Sequence, residues 1–131
     1  MEFDLTQIDK SKFDITRGLK FPTNLNSSLA EDIGIMIGDG HISSKTYNNK
    51  TSNTIHVSGS WKSDFEYFKS LVIPLKKHLY GLDFVPRKRA DDDLYACRYS
   101  LGLFNFYTSV LGLSNGRKNR VRVPNIIFSS N

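Results

Sequence analysis

The chain has a single cysteine, Cys97, among 131 residues. No disulfide framework can form within it, and a reducing compartment, cytoplasmic or organellar, is expected. Long apolar runs are missing as well. The run from Ile33 to Gly38 falls far short of the ~20 residues that span a bilayer, so no membrane partner is expected. The first 25 residues hold Glu2, Asp4, Asp9 and Asp14 and no apolar signal core, which argues against secretion. The phosphate-loop pattern Gly-x-x-x-x-Gly-Lys and any RNP1-like run are absent, so neither a P-loop nucleotidase nor an RNA-recognition fold is expected. His41, His56 and His78 show no metal-ligand spacing. No internal repeat or low-complexity segment stands out.

What is present is positive charge, unevenly spread. Residues 1–40 carry four basic and seven acidic groups, a net of −3, while residues 41–131 carry fourteen basic and six acidic ones, a net of +8. A basic bias of this kind suits a polyanionic partner, most often nucleic acid.

The most informative segment is Ser28-Leu29-Ala30-Glu31-Asp32-Ile33-Gly34-Ile35-Met36-Ile37-Gly38-Asp39-Gly40. Ser28, with Glu31 three residues on, forms the pattern of a capping box and predicts a helix over residues 28–39. Ala30, Gly34 and Gly38 fall at i, i+4 and i+8, on one face. Each glycine costs about 1 kcal/mol against alanine in a helix interior, and a face this small lets another backbone come close. The helix ends on Asp39, where the macrodipole is already negative. An acid at that end is favoured when a cation sits beside it. Gly40 follows as the expected left-handed exit.

The rest of the chain reads as alternating short elements. Residues 1–26 show no sustained period and are taken as an irregular lead-in to one domain over residues 27–131. Strands are expected over residues 41–48 and 54–59, with a turn through 48–53. Residues 62–80 look helical, with a kink or split at Pro74 and a stop at Gly81. His78, on that helix with Lys76 and Lys77, reads as a solvated residue. Strands over 84–90 and 94–101 flank a turn at Asp91-Asp92-Asp93, and a helix over 104–111 stops at Gly112. Phe65, Phe68, Phe104, Phe106 and Tyr107 are expected in the core. The order, helix–hairpin–helix–hairpin–helix, predicts an α+β fold, αββαββα, with helices on one face of a four-stranded antiparallel sheet.

This order and the segment from Leu29 to Gly40 together resemble one half of the LAGLIDADG homing endonucleases, whose sheet forms a concave saddle. Gly112-Leu113, Gly116-Arg117-Lys118 and Val123-Pro124-Asn125-Ile126-Ile127-Phe128 are similar to the closing segment of many microbial members. The likeness covers about residues 20–128, and it departs from the family pattern at Ile37, where many members carry an acid.

The resemblance implies a site-specific, Mg²⁺-dependent endonuclease that cuts double-stranded DNA at a long pseudo-palindromic site. Asp39 matches the metal-binding catalytic acid, with the Gly38 carbonyl as a second ligand. Ala30, Gly34, Ile37 and Gly38 match the surface where two such helices pack. Only one such segment is present, so a homodimer or a second LAGLIDADG half is implied. A basic or amide side chain near the scissile phosphate has no assigned residue here. A non-cleaving DNA- or RNA-binding module of the same fold, or the N-terminal half of a two-motif enzyme, are the alternatives.

Strand alternation then nominates the nucleic-acid contacts. Ser43, Lys45 and Tyr47 share a face of the first strand, and Thr54, His56 and Ser58 of the second, with Lys62 just beyond. Arg87 and Arg89 share a face of the third, and Arg98 lies with Ser100 on the fourth. Arg117, Lys118, Arg120 and Arg122 are expected to anchor phosphates.

Overall fold

A computed structural model describes residues 2–6 and 8–113. The closing segment, with Arg117, Lys118, Arg120 and Arg122, lies outside the described residues. The elements run α1 Lys12–Thr16, α2 Ser27–Asp39, β1 Gly40–Tyr47, β2 Lys50–Ser60, α3 Trp61–Tyr67, α4 Ile73–Tyr80, β3 Pro86–Lys88, β4 Asp93–Tyr99 and α5 Leu101–Asn105. Two π-helical segments extend this set, Phe68–Val72 joining α3 to α4 and Phe106–Val110 following α5. The strands form one antiparallel sheet in the order β1-β2-β4-β3. The protein is α+β. No helix among the described residues is long and apolar enough to cross a membrane.

The sheet buries one face. Ile42 on β1, Ile55 and Val57 on β2, and Leu94 and Ala96 on β4 are all buried, and each is spaced by two from its strand neighbour. Leu29, Ile33 and Met36 of α2, Phe68 and Val72, Leu75 and Leu79 of α4, and Leu103, Phe106 and Tyr107 complete the core. Phe65 and Phe104 pack half-buried against it.

Several boundaries differ from the sequence reading, each for a local reason. Helix α2 is capped by Asn26, whose side-chain oxygen accepts from the Leu29 amide at 2.8 Å, and not by Ser28. Gly40 leaves α2 with φ −88° and ψ 160°, straight into β1 and not through a left-handed turn. A glycine is still required there, because a Cβ would lie 2.6 Å from the Met36 Cα. Asn48 and Asn49 both adopt positive φ, the two-residue turn that matches strand twist, so β2 starts at Lys50 and runs longer than expected.

The predicted helix over residues 62–80 is divided near Pro74 into α3 and α4, joined by the π-helical Phe68–Val72. Pro74 stands in the first turn of α4, where a missing N–H is tolerated. Strand β3 is only three residues long, shorter than the predicted residues 84–90. In the lead-in, α1 forms where no period was visible. Its Asp14 is buried and accepts from Ser100 Oγ at 2.6 Å and the Gly102 amide at 2.9 Å. Burial opposes that charge, but these bonds and those from Ser11 outweigh it and hold the Asp14 pKa below its ordinary value.

With the elements placed, a correspondence invisible to the sequence reading emerges. Each hairpin ends in a serine N-cap, Ser60 or Ser100, followed by a short α-helix and a π-helical segment. The helical stretches read Phe-Glu-Tyr-Phe-Lys-Ser-Leu-Val over residues 65–72 and Phe-Asn-Phe-Tyr-Thr-Ser-Val-Leu over residues 104–111.

Candidate active site and nucleic-acid face

Two aspartates on α2 meet opposite fates. Asp32 points inward and is fully buried with Lys76, an ion pair of 2.7 Å. Tyr80 and Tyr107 donate to its other oxygen at 2.5 and 2.6 Å. Lys76 also donates to the Tyr107 hydroxyl at 2.9 Å and approaches the Met36 sulfur at 3.3 Å. Burial, and next the Asp32 charge, push both phenols well above their ordinary pKa. His78, two residues on, is exposed as the sequence suggests, while Lys76 is not. The Lys76 stem and head lie within the core, over the Phe84 and Tyr107 rings.

Asp39 ends the same helix seven residues on, about two turns away, and is exposed. Among the described residues no hydrogen bond or ion pair holds its carboxylate. Tyr67, on α3, lies within its field. Burial first, and then the charges of Asp39 and Glu31, raise the Tyr67 pKa. Among the described residues no group of three or more His, Cys, Asp or Glu is arranged around a common point. Asp39 therefore offers one carboxylate, with the Gly38 carbonyl adjacent in sequence.

The small face of α2 is bare. Ala30, Gly34 and Gly38 are exposed, and a Cβ built on either glycine meets nothing within 4 Å. Ile37 is half-buried beside them. Close packing among the described residues does not account for the glycines.

The face of the sheet away from the core carries most of the predicted contact residues. Pairing sets His41 opposite His56, Ser43 opposite Thr54 and Lys45 opposite Ser52. On the other side of β2, His56 faces Cys97, Ser58 faces Tyr95, and Tyr95 in turn faces Arg87. The Arg89 guanidinium stacks 4.3 Å from the Tyr95 ring centre and binds Asp93 at 2.5 Å. The His56 ring lies 5.4 Å from that of Tyr95. Its Nε2 is buried without a hydrogen-bond partner. Burial, then the charges of Arg89 and His41, lower its pKa.

Two predicted contacts fall elsewhere. Arg98 shares the core-facing side of β4 with Leu94 and Ala96, and its Nε donates to the Asp83 carbonyl. The strand's true phase places Tyr95, Cys97 and Tyr99 outward, three residues the sequence reading did not nominate. The alternation of buried Leu94 and Ala96 was the signal available. Lys62 is exposed in the first turn of α3, where its backbone amide is held by Asp92 at 2.8 Å.

No family model and no curated protein matches this chain.

Proposed function

We propose that this chain is a LAGLIDADG-type, Mg²⁺-dependent DNA endonuclease that acts as a homodimer. The observation that carries the reading is Asp39: an exposed carboxylate, without a partner among the described residues, at the end of a helix whose small-residue face those residues leave bare. From α2 onward the order helix, two strands, helix, two strands, helix supports the same assignment.

Each part of the proposed site has a physical rationale. A second copy of α2 would cover Ala30, Gly34, Ile37 and Gly38 and bring two Asp39 carboxylates together. Like charges that close repel unless a cation lies between them. A hard cation suits the available ligands, because Mg²⁺ takes few protein carboxylates and fills its shell with water and phosphate oxygens. When bound, such an ion supplies Lewis-acid activation of the phosphodiester and of the attacking water. Asp39 and the Gly38 carbonyl would hold it, one site per DNA strand. Lys45, Arg87 and Arg89 on the open face would neutralise phosphates, while Ser43, Thr54, His56 and Ser58 offer hydrogen bonds to base edges.

The test joins mass and chemistry. Light scattering across micromolar concentrations with Mg²⁺ is expected to give about twice 14.9 kDa. Cleavage of a plasmid carrying the gene's insertion site is expected to need Mg²⁺ and to vanish in Asp39→Asn, with DNA binding retained. Cutting by that variant at the wild-type rate would remove the catalytic assignment. DNA binding without Mg²⁺-dependent cleavage would instead favour the non-cleaving module.

A further inference from the structure

A groove of about 380 Å³ opens between α1 and the outer ends of β2 and β4, lined among others by Phe13, Arg17, Ser52, Asn53 and Tyr99. It sits away from Asp39. Ser52 pairs with Lys45, five residues along β1 from Gly40, so it stands roughly 20 Å from the end of α2 at the rise of an extended strand.

Arg17 is held fast there. Its Nε donates to the Phe13 carbonyl at 3.2 Å, and Nη2 donates to the Tyr99 carbonyl at 2.7 Å and to Asp14 at 3.3 Å. The two N–H groups of Nη1 have no partner among the described residues. A guanidinium fixed on one side and open on the other is pre-organised for a phosphate. The side-chain amide of Asn53 and the hydroxyls of Ser52 and Tyr99 add polar groups unengaged among the described residues. Phe13 is 76% exposed and Tyr99 64%, large apolar walls left open among the described residues.

Two observations point to the occupant. Ser52 and Tyr99 belong to the open face of the sheet, through the pairs Lys45–Ser52 and Thr54–Tyr99, so the groove continues that face around its end. Lys12 and Lys50, both exposed, are chain neighbours of the lining residues Ser11, Phe13 and Thr51, while Asp14, the acid that Arg17 pairs with, is buried and held also by Ser11, Ser100 and the Gly102 amide. We propose that this groove grips the phosphodiester backbone of duplex DNA beyond the stretch covered by the sheet, with Arg17 on a phosphate and Phe13 and Tyr99 against the sugars. The inference rests on the DNA-binding reading of the open face. It adds a sequence-independent contact about six base pairs outward from Asp39, at 3.4 Å per pair.

Binding of the full chain to a duplex of arbitrary sequence, about three helical turns long, tests it across a salt series. Phe13→Glu and Tyr99→Glu alter exposed side chains, and unchanged thermal midpoints confirm folding. Each is expected to weaken binding about tenfold, as like charge is brought against phosphate. Arg17→Gln is expected to lower the slope of log K against log salt by about one. If Lys45→Ala and Arg87→Ala weaken binding while the groove variants match wild type, the groove assignment falls and the open-face reading stands. A wild-type chain that binds no duplex at low salt overturns both. Preference for single-stranded RNA that depends on Phe13 overturns the assignment to a duplex backbone.

Discussion

Asp32 and Asp39 lie seven residues apart on one helix, share a chemistry and differ in everything else. Asp32 has three donors and no contact with solvent; Asp39 has solvent and no donor among the described residues. A carboxylate that folding has fully satisfied has little left to offer a ligand. One that folding leaves bare at the negative end of a helix dipole is tolerated at some cost, and is available for a cation. The comparison separates a group that organises the fold from a group free to do chemistry.

Breaking the buried pair on one side is expected to have the largest effect. Lys76→Met leaves the Asp32 charge in the core without its counter-ion, which costs about 3–5 kcal/mol; urea unfolding would measure it. Replacing both partners, Asp32→Leu with Lys76→Met, should recover most of that loss. Apolar substitutes for a buried ion pair are often neutral or better, and the two tyrosine hydroxyls then bear the remaining penalty. A double variant as unstable as the single one would mean that the network is worth more than its charges.

At the bare face the effects shrink and change sign. Gly34→Ala is expected to stabilise the isolated monomer by about 1 kcal/mol, since the new Cβ meets nothing within 4 Å and alanine favours the helix. Thermal melts of dilute protein would read this gain. Gly34→Leu should keep the monomer folded while lowering its tendency to dimerise, seen by light scattering; a dimer that persists would place the interface elsewhere. Smallest of all, Asp39→Asn should stabilise the fold by about 0.3–1 kcal/mol at low salt, because it removes a charge that opposes the dipole. That gain beside a loss of cleavage would mark Asp39 as a residue kept for chemistry.

Periodicity made the order of elements legible. The apolar spacing of α2, the alternation in β2 and the glycine stop at Gly81 each report local geometry that the chain imposes on itself. Boundaries were harder where a local rule had a rival. Ser28 competed with Asn26 for the cap, and in residues 1–26 only the capping box Ser11-x-x-Asp14 marked α1, a helix of five residues too short to show a period, whose Asp14 also reaches Ser100 and Gly102. Strand β4 shows the same difficulty in its facing. Both sets of alternate residues contain polar and apolar side chains, so the Leu94–Ala96 alternation was a weak signal, and packing against the helices decided that Arg98 turns inward and Tyr95 and Tyr99 outward.

The sequence by itself determined that this is an α+β chain with a basic second part and an acid placed oddly at a helix end. Those properties follow from short-range sterics, side-chain period and charge, all readable within a few residues. The tertiary structure alone decided which of two aspartates is bare, which lysine is buried and where Arg17 is pinned. Each of these depends on partners far off in the chain, 44 residues for Asp32 and Lys76 and 82 for Arg17 and Tyr99. No local pattern encodes a contact whose other half is brought in only when the core closes.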